Sequence, residues 1–116
     1  MDSILDTIKK MIGLPIDDDS YDVDLIIHIN SALSRLPQLN NQFNPLVIMD
    51  NTANWDQVFT KPEYEFIKTY IFINVRLVFD PPSNTTLAES LKAAITQYEW
   101  TLTVYDNNIF EEEVLT

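Results

Sequence analysis

The side chains that could do chemistry in this chain are few. His28 is the single histidine, and the 116 residues include no cysteine. Without cysteine the chain has no thiolate nucleophile, no disulfide and no zinc–cysteine site. The spacing of the serines pairs none of them with His28 as nucleophile and base. We therefore interpret His28 as a surface or packing residue, and we expect no catalytic residue, no cofactor and no metal.

The densest group of possible cation ligands is a run of aspartates between positions 17 and 24. A helix–loop–helix calcium site needs glycine at the sixth position of its loop and glutamate at the twelfth. A loop that starts at Asp18 has Val23 and Ile29 at those two positions. Both positions fail, so we interpret the aspartates as an acidic loop that leads into a helix.

The chain contains a single glycine, Gly13. Loops that bind phosphate need several glycines, because the backbone N–H groups must approach the ligand closely. The sequence therefore excludes a P-loop and a dinucleotide-binding fingerprint. So little glycine also argues against a β fold rich in hairpins, whose turns need residues at positive φ.

The chain is strongly acidic, with 18 acidic and 7 basic residues and a net charge of −11. A second acidic group, Asp106 with the glutamates at 111–113, lies near the end. Such a surface repels nucleic-acid backbones. We interpret the negative charge as a feature that keeps the protein soluble and that is carried by a solvated loop and tail. The alternative is an acidic DNA mimic that inhibits a nucleic-acid-binding protein.

No targeting or membrane segment is expected. The first residues have no basic region before an apolar run, unlike a signal peptide. The longest apolar stretch, Phe66 to Phe79, contains Lys68, Asn74 and Arg76 and is too short and polar to span a bilayer. We expect a soluble protein that is made in the cytoplasm.

Apolar periodicity and capping residues predict a mainly α chain, a small bundle of about four helices. The first helix is predicted from Ser3 to Ile12, with Gly13 after its end. The second is predicted from Asp22 to Leu36, capped by Ser20 or Asp22 and ended or kinked by the proline at 37.

Residues 40–54 are predicted to be irregular, and the apolar run at 46–49 is either an extended segment on the core or a short strand. A short helix capped by Thr52 or Asn54 is predicted to follow, as far as Phe59. The third long helix is predicted from Pro62 to Phe79, stopped by the two prolines at 81 and 82. The fourth is predicted from position 85 or 86 to Tyr105. We therefore expect one helical domain, residues 1–105, and a flexible acidic tail, residues 106–116.

Some side chains on the last two long helices are candidates for contact with another subunit or partner. The fourth helix has a second stripe, formed by Ala93, Gln97, Trp100 and Val104, and its tryptophan is a candidate for an interface. The alternative is that Trp100 packs under residues 40–54. Arg76 needs a carboxylate partner if it is buried, either Asp80 or a residue of another subunit. The candidate interface residues are Arg76, Phe79, Trp100, Val104 and Tyr105.

Five stretches, in order from residue 1 to about 105, resemble the head–tail connector (adaptor) proteins of long-tailed double-stranded DNA bacteriophages and prophages. The most specific is the apolar helix with its double-proline end, Lys68 to Pro82. The other four are Ile8 to Ser20, Asp24 to Ala32, Asn51 to Trp55, and Glu99 to Leu102.

The resemblance implies a structural virion protein without enzymatic activity and with a helical-bundle fold. It implies a ring of about a dozen copies beneath the portal protein at the head–tail junction, assembled in the host cytoplasm. Such a ring extends the DNA channel and receives the next tail-side component, a stopper or tail-completion protein. DNA would pass through without sequence-specific binding, and no membrane is involved.

Overall fold

Four helices of nine or more residues form a bundle, joined by turns and by one long irregular segment. The structure, a computed structural model, describes the backbone of residues 2–115 and the side chains of residues 2–106. The predicted mainly α fold is confirmed. The helices are α1 (Ile4–Ile12), α2 (Asp22–Leu33), α3 (Leu36–Leu39), α4 (Ile67–Phe79) and α5 (Thr85–Leu115), with single 3-10 turns at Trp55–Gln57 and Pro62–Tyr64.

The ends of α1 are those predicted from the sequence. The Ser3 side chain accepts a hydrogen bond of 3.2 Å from the N–H of Asp6, which satisfies one of the free donors of the first turn. Gly13 ends the helix with φ of 101°, a left-handed conformation that glycine adopts without steric cost.

Helix α4 lies at the centre of the bundle and packs against α1, α2 and α5. Neighbours on several sides explain why its sequence is apolar nearly all round. Full burial of each large apolar side chain contributes about 1.5–3 kcal/mol to stability. Its buried residues are Ile67, Tyr70, Ile71, Ile73 and Val75. All of these except Ile73 belong to one core cluster that also contains Leu25, Ile29, Ala32 and Leu33 of α2 and Ile4, Leu5 and Ile8 of α1.

The second helix begins at Asp22, as predicted, but its end and its cap differ from the prediction. It ends at Leu33 rather than Leu36, and Pro37 is the second residue of the separate helix α3. Proline has no N–H to donate to the carbonyl four residues earlier, so the α-helical ladder breaks before it. At the other end neither Ser20 nor Asp22 caps the helix, because the Asp22 carboxylate instead pairs with Lys9.

The third long helix starts later than predicted and ends where predicted. Pro62 begins a 3-10 turn that runs to Tyr64, and the α-helical part begins at Ile67. It ends at Phe79, immediately before Asp80 and the two prolines. Proline disfavours the α conformation in the residue that precedes it, which fixes this end.

Residues 40–54 are irregular, as predicted, and of the two alternatives for residues 46–49 the structure has the extended segment rather than a strand. The segment is held at defined points. The Asn30 side chain donates to the carbonyl of Ile48 at 3.0 Å and accepts from its N–H at 2.8 Å. An isolated antiparallel bridge joins Ser3 to Asn54. Asn54 then caps the turn that begins with Trp55, whose side chain is fully buried.

Helix α5 begins at Thr85, where the Asn84 side chain accepts from the N–H of Leu87 at 3.0 Å. It continues past the predicted end at Tyr105 to Leu115, a length of about 46 Å. The predicted flexible acidic tail, residues 106–116, falls almost entirely outside the residues whose side chains are described. No helix in the described part of the chain is long and apolar enough to cross a membrane.

Candidate functional site

The side chains that could take part in catalysis or bind a metal are spread over the molecule. Among the described residues, no three His, Asp or Glu side chains come together in a group that could hold a metal ion. His28 is half-buried on α2. The candidate functional regions are therefore the surfaces of the bundle.

Several exposed carboxylates are used in local turns. The Asp18 side chain accepts from the N–H of Ser20 at 3.0 Å, and that of Asp50 accepts from the hydroxyl and N–H of Thr52 at 2.6 and 2.9 Å. Hydrogen bonds from Ser20 and Thr52, first from the side chain and then from the backbone, lower the pKa of each aspartate. These carboxylates therefore remain ionised well into the acidic range.

The surface depressions are open and mixed in character. One of about 300 Å³ lies between residues 42–44 and residues 56–61, and Tyr64 forms part of its wall. Another of about 320 Å³ lies between residues 46–50 and Gln57. The first depression is lined by Asp56 and Lys61 among others, and no ion pair joins these two side chains.

Helix α5 is fixed to the bundle near its middle by polar contacts. The Tyr70 hydroxyl donates to the Glu99 carboxylate at 2.7 Å, and the Arg35 guanidinium lies 3.6 Å from the same oxygen. Burial, and then the hydrogen bond to Glu99, raise the pKa of Tyr70 well above its usual value. One turn further on, the buried Asn40 side chain donates to the carbonyl of Leu102 at 3.0 Å.

This anchoring turns one side of α5 inward and the opposite side toward solvent. Leu102 is fully buried, whereas Trp100 keeps 60% of its surface exposed. The two residues lie about 160° apart around the helix. We call the outward residues Ala93, Gln97, Trp100 and Val104 the α5 surface.

The α5 surface is the second stripe predicted from the sequence. Ala93 and Gln97 are exposed and Val104 is half-buried. Residues 40–54 leave Trp100 exposed, so the alternative in which they cover it does not describe this structure. A large exposed aromatic side chain is typical of a contact with another protein.

Two other candidate interface residues take part in packing within the subunit. The Tyr105 ring lies edge-on to the Tyr64 ring, with centroids 5.5 Å apart. The Phe79 ring is edge-on to that of Tyr21 at 5.4 Å. Both are only half-buried, so part of each ring remains available to a neighbour.

Arg76 is half-buried near the end of α4. Within the described side chains, no carboxylate lies within ion-pair distance of its guanidinium, and Asp80 is therefore not its partner. Of the two partners considered from the sequence, a carboxylate on another subunit remains a prediction.

A second exposed apolar region was missed by the sequence reading. On α2, Val23 is 72% exposed and Ile27 is 57% exposed. Beside them, Val47 and Met49 flank the anchored Ile48 and are 72% and 85% exposed. The available signal was the four-residue spacing of Val23 and Ile27, which lies off the core stripe of α2. We call Val23, Ile27, Val47 and Met49 the α2 surface.

The first half of α5 is also poorly covered. Leu87 belongs to the predicted core stripe yet is 40% exposed, and between residues 85 and 97 no side chain is buried. At the neighbouring end of α4, Val78 is 61% exposed. The subunit by itself therefore leaves much apolar helix surface in contact with water.

The comparisons with known proteins identify one family. A family model described as phage connector protein matches residues 4–108, which is most of the chain. The search of curated proteins found no match. The search of solved structures found no match either.

Proposed function

From the premise that this chain belongs to the phage connector protein family, we propose that it forms a ring below the portal and joins the head to the tail. Connector proteins are structural components of the virion. In the proposed assembly the ring extends the DNA channel beyond the portal. Its far side provides the docking surface for the next tail-side component, a stopper or tail-completion protein.

The observation that carries this proposal is the family match over residues 4–108. It spans α1 to α4 and α5 as far as residue 108, so it concerns the whole bundle rather than one motif. The stretch Lys68 to Pro82, which is the most specific part of the resemblance, contains most of α4, the central helix of that bundle. The proposal thus rests on the fold-forming residues and not on a peripheral segment.

The distribution of exposed apolar side chains supports assembly into a larger structure. Monomeric proteins rarely expose large continuous apolar patches, because water contact with them is unfavourable. Here the α5 surface and the α2 surface both expose large hydrophobic side chains. Exposed hydrophobic side chains of this kind are typical of a subunit whose surfaces are covered by neighbours in an assembly.

The net charge of −11 supports a role beside DNA without binding to it. A protein gains affinity for DNA when its lysines and arginines release the counterions of the phosphates. This chain has only 7 such residues, and Lys9 is buried. In the proposed ring an acidic channel wall lets packaged DNA slide past without adhering.

The alternative, an acidic DNA mimic, has less support. A mimic needs rows of free carboxylates with the spacing of phosphates. In the described part of the chain, several carboxylates instead have partners within the subunit: Asp22 with Lys9, Glu65 with Lys68, Glu89 with Lys92, and Glu99 with Tyr70 and Arg35. A pull-down that recovers a nuclease or another DNA-binding protein would favour the mimic.

Deletion of the gene in the phage or prophage tests the proposal. Electron microscopy of the particles should show heads of normal size without tails, and most heads should have lost their DNA. Complementation with the wild-type chain should restore tails. Normal tailed particles from the deletion would contradict the proposed role.

A further inference from the structure

Two outward helix faces of this acidic chain carry little charge. The solvent side of a helix ordinarily holds charged residues, and 22% of this chain is charged. Yet the outward sides of α5 and α2, each opposite the core side of its helix, consist mostly of uncharged residues. On α5 between residues 90 and 104 they are Ser90, Ala93, Thr96, Gln97, Trp100 and Val104, and on α2 they are Val23, Ile27 and Ser31. The exceptions lie at the start of each side: the exposed Asp24 on α2, and on α5 Glu89, which pairs with Lys92.

The loop part of the α2 surface is held in place by hydrogen bonds from α2. Asn30 uses both the oxygen and the nitrogen of its side chain to hold the backbone of Ile48. Ile48 is 2% exposed, so its side chain points into the core. Its two neighbours, Val47 and Met49, are therefore presented to solvent beside the outward side of α2.

The two surfaces belong to helices that pack on the same central helix. Both α2 and α5 contact α4 through their core sides, Leu25 and Ile29 on one and Leu102 on the other. Their outward surfaces therefore face away from α4. A contact with two-fold symmetry uses one surface twice, whereas a closed ring uses two different surfaces of every subunit.

The charge of the chain indicates which partner covers these surfaces. Two copies that each carry −11 repel one another wherever their acidic residues approach. A contact between two surfaces with few charged residues reduces that repulsion and buries the exposed Trp100 and Ile27. A basic partner would instead be drawn to the acidic residues outside these surfaces.

We infer that the α5 surface of one subunit packs against the α2 surface of a second copy of this chain, and that this contact repeats around the ring. The inference rests on the proposed function, and it specifies the surfaces through which the proposed ring closes. Trp100 is the central side chain on one side of the contact, and Ile27 and Met49 are its counterparts on the other.

Directed crosslinking tests this contact, because the natural chain has no cysteine. Two full-length variants, Ser31→Cys and Gln97→Cys, are mixed in equal amounts at high protein concentration and treated with a short bis-maleimide. Both positions are exposed on the two outward sides and leave Ile27 and Trp100 in place. Mass spectrometry then distinguishes the mixed dimer from each homodimer. Val78→Cys replaces Ser31→Cys in the control, because Val78 is 61% exposed but lies outside the α2 surface.

The inference predicts a mixed 31–97 dimer several-fold above both homodimers, beyond the excess that random pairing gives. The control pair, 78–97, should give random proportions. A dominant 97–97 product would overturn the inference in favour of a two-fold contact through α5. No 31–97 product above the control level would overturn it as well.

The crosslinking result is separable from the test of the proposed function. If the gene deletion gives tailless heads but the 31–97 dimer does not form, the connector role stands and the contact surfaces are wrong. If the deletion leaves tailed particles, the proposed function fails whatever the crosslinking shows.

Discussion

The ammonium nitrogen of Lys9 lies 2.9 Å from a carboxylate oxygen of Asp22, and the Lys9 side chain is only 2% exposed. The same nitrogen donates to the carbonyls of Ile16 and Asp18 at 2.8 and 2.6 Å. All three donors of the ammonium are therefore used. This one side chain ties the last turn of α1, the acidic loop and the first turn of α2 together.

Replacing Lys9 by Met should destabilise the subunit. The change keeps a long apolar stem but leaves two carbonyls and the Asp22 carboxylate without their donor. Breaking a buried pair in this way costs about 3 kcal/mol. Urea unfolding followed by circular dichroism measures the loss, and Lys10→Met, at an exposed neighbouring position, is the matched control with a change near zero. Equal stability of the two variants would refute the role of Lys9.

Replacing Asn30 by Ala should release residues 44–49 from α2. The substitution removes both hydrogen bonds to Ile48 and leaves its N–H and carbonyl without partners, a loss of about 1–3 kcal/mol. Hydrogen–deuterium exchange should show faster exchange confined to this segment. Ser31→Ala, at an exposed position on the same helix, should leave the exchange unchanged. Unaltered protection in Asn30→Ala would mean that Asn30 does not hold the segment.

Substitutions at Trp100 and Leu102 should separate an effect on assembly from an effect on the stability of the subunit. Trp100→Ala should change the free energy of unfolding little, because the side chain is 60% exposed, yet it should block tail joining. Leu102→Ala removes a fully buried side chain and should cost about 2–5 kcal/mol. Unfolding curves and particle counts by electron microscopy measure the two effects. Tail joining by Trp100→Ala at the wild-type level would argue against an assembly role for this residue.

Stability should fall at high pH because of Tyr70. Burial and the Glu99 carboxylate raise the pKa of Tyr70 in the folded state above the ordinary value of 10.0. The contribution of Tyr70 is therefore complete below pH 10 and is lost as the pH rises toward its folded-state pKa, because only the unfolded chain releases the proton. Urea midpoints measured from pH 8 upward should decline above pH 10, and Tyr70→Phe should reduce that decline. An identical decline in Tyr70→Phe would assign it to other groups.

The sequence predicted most of the fold because its signals were local. Apolar periodicity located the four long helices, Ser3 and Gly13 marked the ends of α1, and the prolines at 81 and 82 marked the end of α4. The burial of Lys9 could not be predicted, since its three acceptors, in Ile16, Asp18 and Asp22, meet only when the acidic loop and α2 pack against the end of α1. A lysine in the last turn of a helix is ordinarily solvated.

The exposure of the candidate surfaces could be predicted only in part, and their role in contacts stays a prediction. The stripe of Trp100 and Val104 followed from helical spacing, and the structure leaves Trp100 60% exposed and Val104 half-buried. The α2 surface was missed because Val23 and Ile27 become a separate surface only when the core side of α2 is known. Val47 and Met49 join it through the contact between Asn30 and Ile48, which is a tertiary relationship.

Cryo-electron microscopy of the head–tail junction in the purified virion tests the connector role most directly. The proposed function predicts a closed ring of this chain between the portal and the next tail-side component, with acidic residues along the channel. The further inference adds that Trp100 of each subunit contacts the α2 surface of its neighbour. A virion that joins head to tail without any copy of this chain at the junction would contradict the account.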